Sequence, residues 1–203
     1  GGQRILILLD SSASMLDTTI VNIIRIRSMN DNERKRNSQK WQRAVKAVDW
    51  LTAQLPINSQ YQIWNFNTGY SSIVPGTENK WLEVADRVQL DGAIDNLKKL
   101  VPENGTNLTQ VFRAAADMSP PPDNIYLITD GLPTLGDKNS GKPTVTERER
   151  EEHFSEAQKL MNKGPPINVI LLPLEGDNKA PALFWELVIA TNGGFVTPSK
   201  DWP

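Results

Sequence analysis

Residues 5–9 are an uninterrupted aliphatic run, ILILL, that stops at Asp10. A short branched run bounded by polar residues predicts a strand buried on both faces. Ser12 and Ser14 follow at alternate positions, so an oxygen-rich loop leaves the carboxyl end of that strand. In an open α/β sheet this is the end at which ligands bind.

The pattern then changes period. Over 17–29, Ile20, Val21, Ile23, Ile24 and Ile26 have broadly helical spacing with a wide apolar arc. Residues 30–39 read as a polar break. Trp41, Ala44, Val45, Val48, Leu51 and Leu55 share one stripe, which predicts a helix over 41–55 ending at Pro56. Strands are predicted over 61–66 and 70–74, close enough to form an antiparallel hairpin. Helices follow over 91–101 and 108–118, and a strand over 124–129 ends in Asp130-Gly131. A charged helix over 144–163, a strand over 167–172, a helix over 181–191 and a short strand over 195–197 complete the chain. Asn192-Gly193-Gly194 is a good stop for the last helix. Alternating strands and helices predict an α/β fold as one domain over 1–203, with a core over about 4–197. The sheet is expected to be mostly parallel with one antiparallel edge strand and helices on both faces.

Composition narrows the function classes. The 203 residues include 22 Lys and Arg against 24 Asp and Glu, a formal charge of −2. No global basic field recruits nucleic acid or an anionic membrane. Cysteine is absent, which removes disulfides and thiolate chemistry or ligation. No apolar run approaches the roughly 20 residues needed to cross a bilayer. The first strand begins close to Gly1, which suggests a domain cut from a longer chain, in which any signal or anchor would lie upstream. The isolated domain is expected to be monomeric.

Three separated stretches carry the candidate chemistry: Asp10, Ser12 and Ser14 in DSSAS, Thr106 in NGTN, and Asp130 in ITDG. Taken singly, each has a simpler reading. The serines and Thr106 suit helix N-caps, and Asp-Gly is a common turn pair. Taken together, in this order, each following a strand or sitting in a loop that opens a helix, they resemble the von Willebrand factor A (VWA) or integrin I-domain family over nearly the whole chain. The resemblance implies a three-layer Rossmann-like sandwich with a metal-ion-dependent adhesion site. It implies Asp10, Ser12, Ser14, Thr106 and Asp130 as the metal set, with Mg²⁺, or Mn²⁺ or Ca²⁺, as the cation. The hydroxyls of Ser12, Ser14 and Thr106 are then the direct ligands, and Asp10 and Asp130 act mainly through water. The implied partner is a protein presenting Asp or Glu to the cation. The donor types agree with this, because hard divalent cations take oxygen ligands. The family's usual strand order also implies that the strands ending at Asp10 and Asp130 are neighbours, where the winding direction reverses.

Relative to many members of the family, Ala13 replaces a glycine and residues 17–39 form an insertion beside the metal face. Arg25, Arg27, Arg34, Lys35, Arg36, Lys40 and Arg43 make that region the most basic in the chain. The simpler reading is a lid helix packed on its own domain with solvated charges. The alternative is a specificity surface that attracts an acidic partner. Loops 133–143 and 175–180 are expected at the same edge.

A haloacid-dehalogenase-type phosphohydrolase is the enzymatic alternative. It needs a second aspartate two residues after the first, where this chain has Ser12. His153 is the sole histidine and sits in a charged helix, which suits solvent exposure better than catalysis. No phosphate-binding glycine loop is present. The expectation is therefore a non-enzymatic interaction module. A structural VWA subunit of a chelatase-type ATPase assembly would use the same face. The general look is that of bacterial VWA proteins, some tethered by a preceding membrane segment, which leans towards the cell envelope. Trp41, Trp50, Trp64 and Trp81 are expected to be core or half-buried.

Overall fold

Alternation along the first strand decides the layers. The computed structural model describes residues 3–137, 144–199 and 201–202. The chain opens with β1 (Arg4–Asp10), a 3-10 turn (Ala13–Leu16), α1 (Ile20–Ser28), α2 (Asn32–Arg36) and α3 (Gln39–Ala53). It continues through β2 (Gln60–Phe66), β3 (Tyr70–Ser72), β4 (Leu82–Glu83), α4 (Arg87–Leu97) and α5 (Leu108–Asp117). It ends with β5 (Asn124–Thr129), α6 (Glu147–Leu160), β6 (Ile167–Leu171), α7 (Ala180–Ala190) and β7 (Phe195–Val196).

Ile5, Ile7 and Leu9 of β1 point into one core, with Trp41, Val45 and Val48 of α3 and Leu90 and Ile94 of α4. Leu6 and Leu8 point into the other, with Phe112 of α5, Phe154 of α6 and Phe184 of α7. A strand with aliphatic side chains at every position is therefore a strand with a helix layer on each side.

Among the described residues the sheet has seven strands, in the order β3-β2-β1-β5-β6-β7, with β4 also on β2. β1 pairs in parallel with β2 and β5, and β5, β6 and β7 continue in parallel. β3 is the expected antiparallel edge strand, and the two-residue β4 pairs antiparallel with the start of β2. Leu9 lies opposite Ile128, so β1 and β5 end side by side. The next main-layer helix after β1 is α3, and after β5 it is α6. These lie on opposite faces, and the reversal opens a crevice between the strand ends.

Several boundaries differ from expectation for local reasons. Part of 30–39 is helical, because the Asp31 side chain accepts from Arg34 N at 2.9 Å and caps α2. α4 begins at Arg87 rather than 91, capped by Asp86 at Gln89 N. α6 begins at Glu147 behind a reciprocal Thr146–Glu149 capping box. Trp50 is 44% exposed on the outer side of α3, where it meets the edge of Trp202 at 5.3 Å. Trp41 and Trp64 are core, as expected. No helix among the described residues is long and apolar enough to cross a membrane.

Candidate metal centre

The Asp10 carboxylate is fixed from two directions. Its Oδ1 accepts from Ser12 N at 2.9 Å and its Oδ2 accepts from the Thr129 hydroxyl at 2.7 Å. The first bond turns the chain at the end of β1, and the second ties β1 to β5. Ser12 occupies the N-cap position of the 3-10 turn, yet its side chain caps nothing. Its Oγ lies 3.0 Å from Ser14 Oγ, and Ser14 Oγ donates to Asp130 Oδ1 at 2.9 Å. The capping explanation for these serines therefore does not hold. Asp10, Ser12, Ser14 and Asp130 form one connected cluster.

The loop carrying Thr106 is sewn to this cluster by its backbone. Ala13 N donates to Asn104 O and Glu103 N donates to Ser11 O, both at 2.9 Å. Asn104 takes a left-handed φ of 66°, a conformation asparagine tolerates better than most residues. At position 105 a Cβ would lie 2.6 Å from Thr134 Oγ1, so close approach selects glycine. That same hydroxyl accepts from Thr106 N at 2.9 Å, while Thr106 O accepts from Thr134 N and Leu135 N. Asn107, not Thr106, caps α5, through Oδ1 at 3.1 Å from Gln110 N. Thr106 is thus held by its backbone, and its hydroxyl makes no hydrogen bond among the described residues. It opens with Ser12 and Ser14 onto a cavity of about 530 Å³.

Asp130 has a second partner. Lys40 Nζ lies 2.6 Å from Asp130 Oδ2 and also donates to Ser14 O and Asp17 O, each at 3.0 Å. In the sequence Lys40 was only one member of a basic stretch. A usable signal was present: a lysine in the first turn of a helix faces the positive end of the helix dipole and needs a nearby anion. Burial, and then the charge of Asp130, push the Asp10 carboxyl up to about 7. A divalent cation among these groups would favour the ionised form and reverse that shift.

The donors fit such an ion. Three hydroxyls and two carboxylates are hard oxygen ligands, the set that Mg²⁺ accepts alongside retained waters. No group of three or more His, Cys, Asp or Glu side chains among the described residues is placed to hold a metal. A cation here would therefore depend on the hydroxyls as much as on the acids. With both acids ionised and Lys40 as the one cation, the cluster keeps a net charge of −1, which a bound cation would offset.

The surrounding loops reach the same edge. Thr134 and Leu135 support Thr106, and Glu175 N donates to Thr18 O at 2.8 Å at the start of the insertion. Asp177 receives Leu132 N at 2.7 Å and pairs with Arg150. Residues 138–143 of the loop after Asp130 lie outside the described residues. In the insertion, α1 packs on its own domain through the buried Ile26 and against the 3-10 turn, and its outer side leaves Ile20, Val21 and Ile24 exposed.

The sequence model of the von Willebrand factor type A domain matches residues 5–132, more than half of the chain. This chain belongs to the VWA domain family. Its fold is shared with solved structures of low identity. One is a von Willebrand factor type A protein from Catenulispora acidiphila, with a TM-score of 0.65 and 16% identity over 98% of this chain and 39% of that one. Another is the PilB minor pilin of Streptococcus sanguinis, with a TM-score of 0.60 and 17% identity over 99% of this chain and 59% of that one. A third is proximal thread matrix protein 1 of the mussel byssus, described with a zinc-occupied adhesion-site motif. It has a TM-score of 0.51 and 20% identity over 97% of this chain and 44% of that one. This VWA chain therefore spans about two fifths to three fifths of the length of these proteins. No curated protein sequence matches it.

Proposed function

We propose that this VWA domain is a metal-dependent protein-interaction module. In this reading Ser12, Ser14 and Thr106 contact a divalent cation, Mg²⁺ first, while Asp10 and Asp130 balance its charge mainly through water. The cation, facing neutral hydroxyls, keeps enough Lewis acidity to take a carboxylate from a partner protein as a further ligand. The observation that carries the reading is the unpaired Thr106 hydroxyl, which shares a cavity with Ser12 and Ser14 beside two buried acids. The zinc-occupied motif of the mussel protein supports it.

The arrangement suits holding better than bond breaking. Ser12 and Ser14 hydrogen-bond each other and Asp130, and His153 packs on Gly136 without bonding either serine. Among the described residues, Asp130, the carboxylate that accepts from Ser14, is held by Lys40, and no histidine bonds either serine.

The test is crystallographic. Crystals grown or soaked with Mn²⁺ are expected to show an anomalous peak among Ser12, Ser14 and Thr106. Absence of that peak, with no calorimetric heat of Mn²⁺ or Mg²⁺ binding, overturns the reading.

A further inference from the structure

The insertion helix α1 carries a stripe that the fold leaves without a partner. Ile20, Ile23, Ile24 and Arg27 follow i, i+3, i+4, i+7 spacing and share one face. Ile20 is 48% and Ile24 62% exposed, and Val21 beside them is 75% exposed. Three large aliphatic side chains adjoining on one short helix make a patch that water does not favour. The helix is held in place. Ile26 is buried on its other side, and Ile20 N donates to Glu175 Oε2 at 3.0 Å.

The stripe runs into the candidate site. Ile23 and Arg27 line the same cavity as Ser12, Ser14 and Thr106, and Arg150 lines it as well. Among the described residues, no Asp or Glu lines that cavity. Arg150 is paired with Asp177, whereas Arg27 makes no ion pair among the described residues. The α1 side of the cavity therefore carries Ile23 and an Arg27 guanidinium with no ion pair among the described residues, opposite the hydroxyls of Ser12, Ser14 and Thr106. A nucleic acid or phosphate-rich surface would match the arginine and leave the aliphatic residues unmatched. A polypeptide with a carboxylate beside an aliphatic side chain matches both.

We propose that α1 is a docking surface for an acidic-aliphatic segment of a partner protein. The partner's aliphatic side chain packs on Ile20, Val21 and Ile24, and Arg27 steers the adjoining carboxylate to the site. The proposal rests on the metal-dependent reading above and adds the composition of the partner. It also gives the insertion a role in specificity.

The experiment selects a randomised dodecapeptide library on the immobilised protein in Mg²⁺ and elutes with EDTA. Eluted sequences are expected to share Asp or Glu next to Leu, Ile or Val. Selection on an Ile20→Ser/Ile24→Ser variant should still enrich the acid but lose the aliphatic neighbour. A labelled peptide from the first selection should bind that variant about tenfold more weakly, as expected for two aliphatic side chains deprived of an apolar surface. Both positions are exposed, so the fold is kept, and circular dichroism checks this.

Enrichment of the acid without an aliphatic neighbour on the unmodified protein overturns the docking surface and leaves the metal reading standing. Eluates with no acid enrichment overturn the metal reading and the docking surface with it. Sedimentation velocity adds one further outcome. Self-association of the unmodified protein that the double variant abolishes assigns the stripe to a second copy of this chain and overturns the proposal.

Discussion

Lys40 Nζ lies 2.6 Å from Asp130 Oδ2, and both side chains are only 2% exposed. This is a buried ion pair inside a site read as a cation site, so the lysine is a built-in counter-ion. Removing one member of a buried pair leaves an uncompensated charge, which costs about 3 kcal/mol or more. Lys40→Met is expected to melt well below the unmodified protein in EDTA. With the ammonium gone, a divalent cation meets less repulsion and more negative charge. Mg²⁺ should therefore raise the melting temperature of Lys40→Met more than that of the unmodified protein. Differential scanning fluorimetry with and without Mg²⁺ measures both effects. Equal Mg²⁺ shifts in the two proteins would exclude the counter-ion role.

Thr106→Val separates binding from stability. The hydroxyl has no hydrogen bond to lose among the described residues, and valine keeps the branched shape. Stability in EDTA should change by no more than about 0.5 kcal/mol. Mn²⁺ affinity by titration calorimetry should fall at least tenfold, because one direct ligand is gone. A large loss of stability with unchanged affinity contradicts the assigned role.

Gly105→Ala tests the close approach of the two loops. The added Cβ would meet Thr134 Oγ1 at 2.6 Å, so the Thr134 hydroxyl must abandon Thr106 N or the loop must shift. The expected cost is about 1–2 kcal/mol, with weaker cation binding. Thr134→Ala removes the obstacle, so Gly105→Ala should cost clearly less in that background. A double-mutant cycle by urea unfolding reads the coupling, and strict additivity would count against the clash.

The start of β1 supplies a pH dependence. Arg4 donates to Asp123 from its guanidinium and its backbone, and the guanidinium bonds foremost hold the Asp123 carboxyl below its ordinary value of 3.8. Because the folded value is the lower one, the unfolded chain binds this proton more readily in acid. The pair's stabilisation is therefore present above the ordinary aspartate value and is lost as pH falls through the folded value. Arg4→Gln should lower the melting temperature slightly near neutral pH, and the difference should shrink as pH falls through the folded value of Asp123. Carbon-detected NMR titration of Asp123 should show its midpoint rising towards 3.8 in the variant.

The sequence was most informative where one face or layer decided the pattern. The aliphatic run at 5–9 announced a doubly covered strand, and 124–129 was placed to the residue, because both strands lie at the centre of the sheet. The five candidate site residues came from the resemblance to the VWA family, not from periodicity, and Thr106 lies between two helices rather than after a strand. Four of them join by hydrogen bonds, and Thr106 shares the cavity with Ser12 and Ser14. What was not legible depended on partners distant in sequence. Lys40 matters through Asp130, ninety residues away. The two-residue β4 exists only because it pairs with β2. The exposed stripe of α1 had the spacing of a buried helix face, and only the packing distinguishes a surface that is covered from one that is open.

The site rests on β1 and β5, the innermost pair of the sheet order. Local opening in a sheet spreads from its margins, so β3 and β4 at one side and β7 at the other can exchange their amide hydrogens without disturbing Asp10 or Thr129. The carboxylates of this VWA domain should therefore persist in place through every fluctuation short of global unfolding. The hydroxyl of Thr106, which has no hydrogen bond among the described residues, is the side-chain donor of the set free to turn, on a backbone that is itself held.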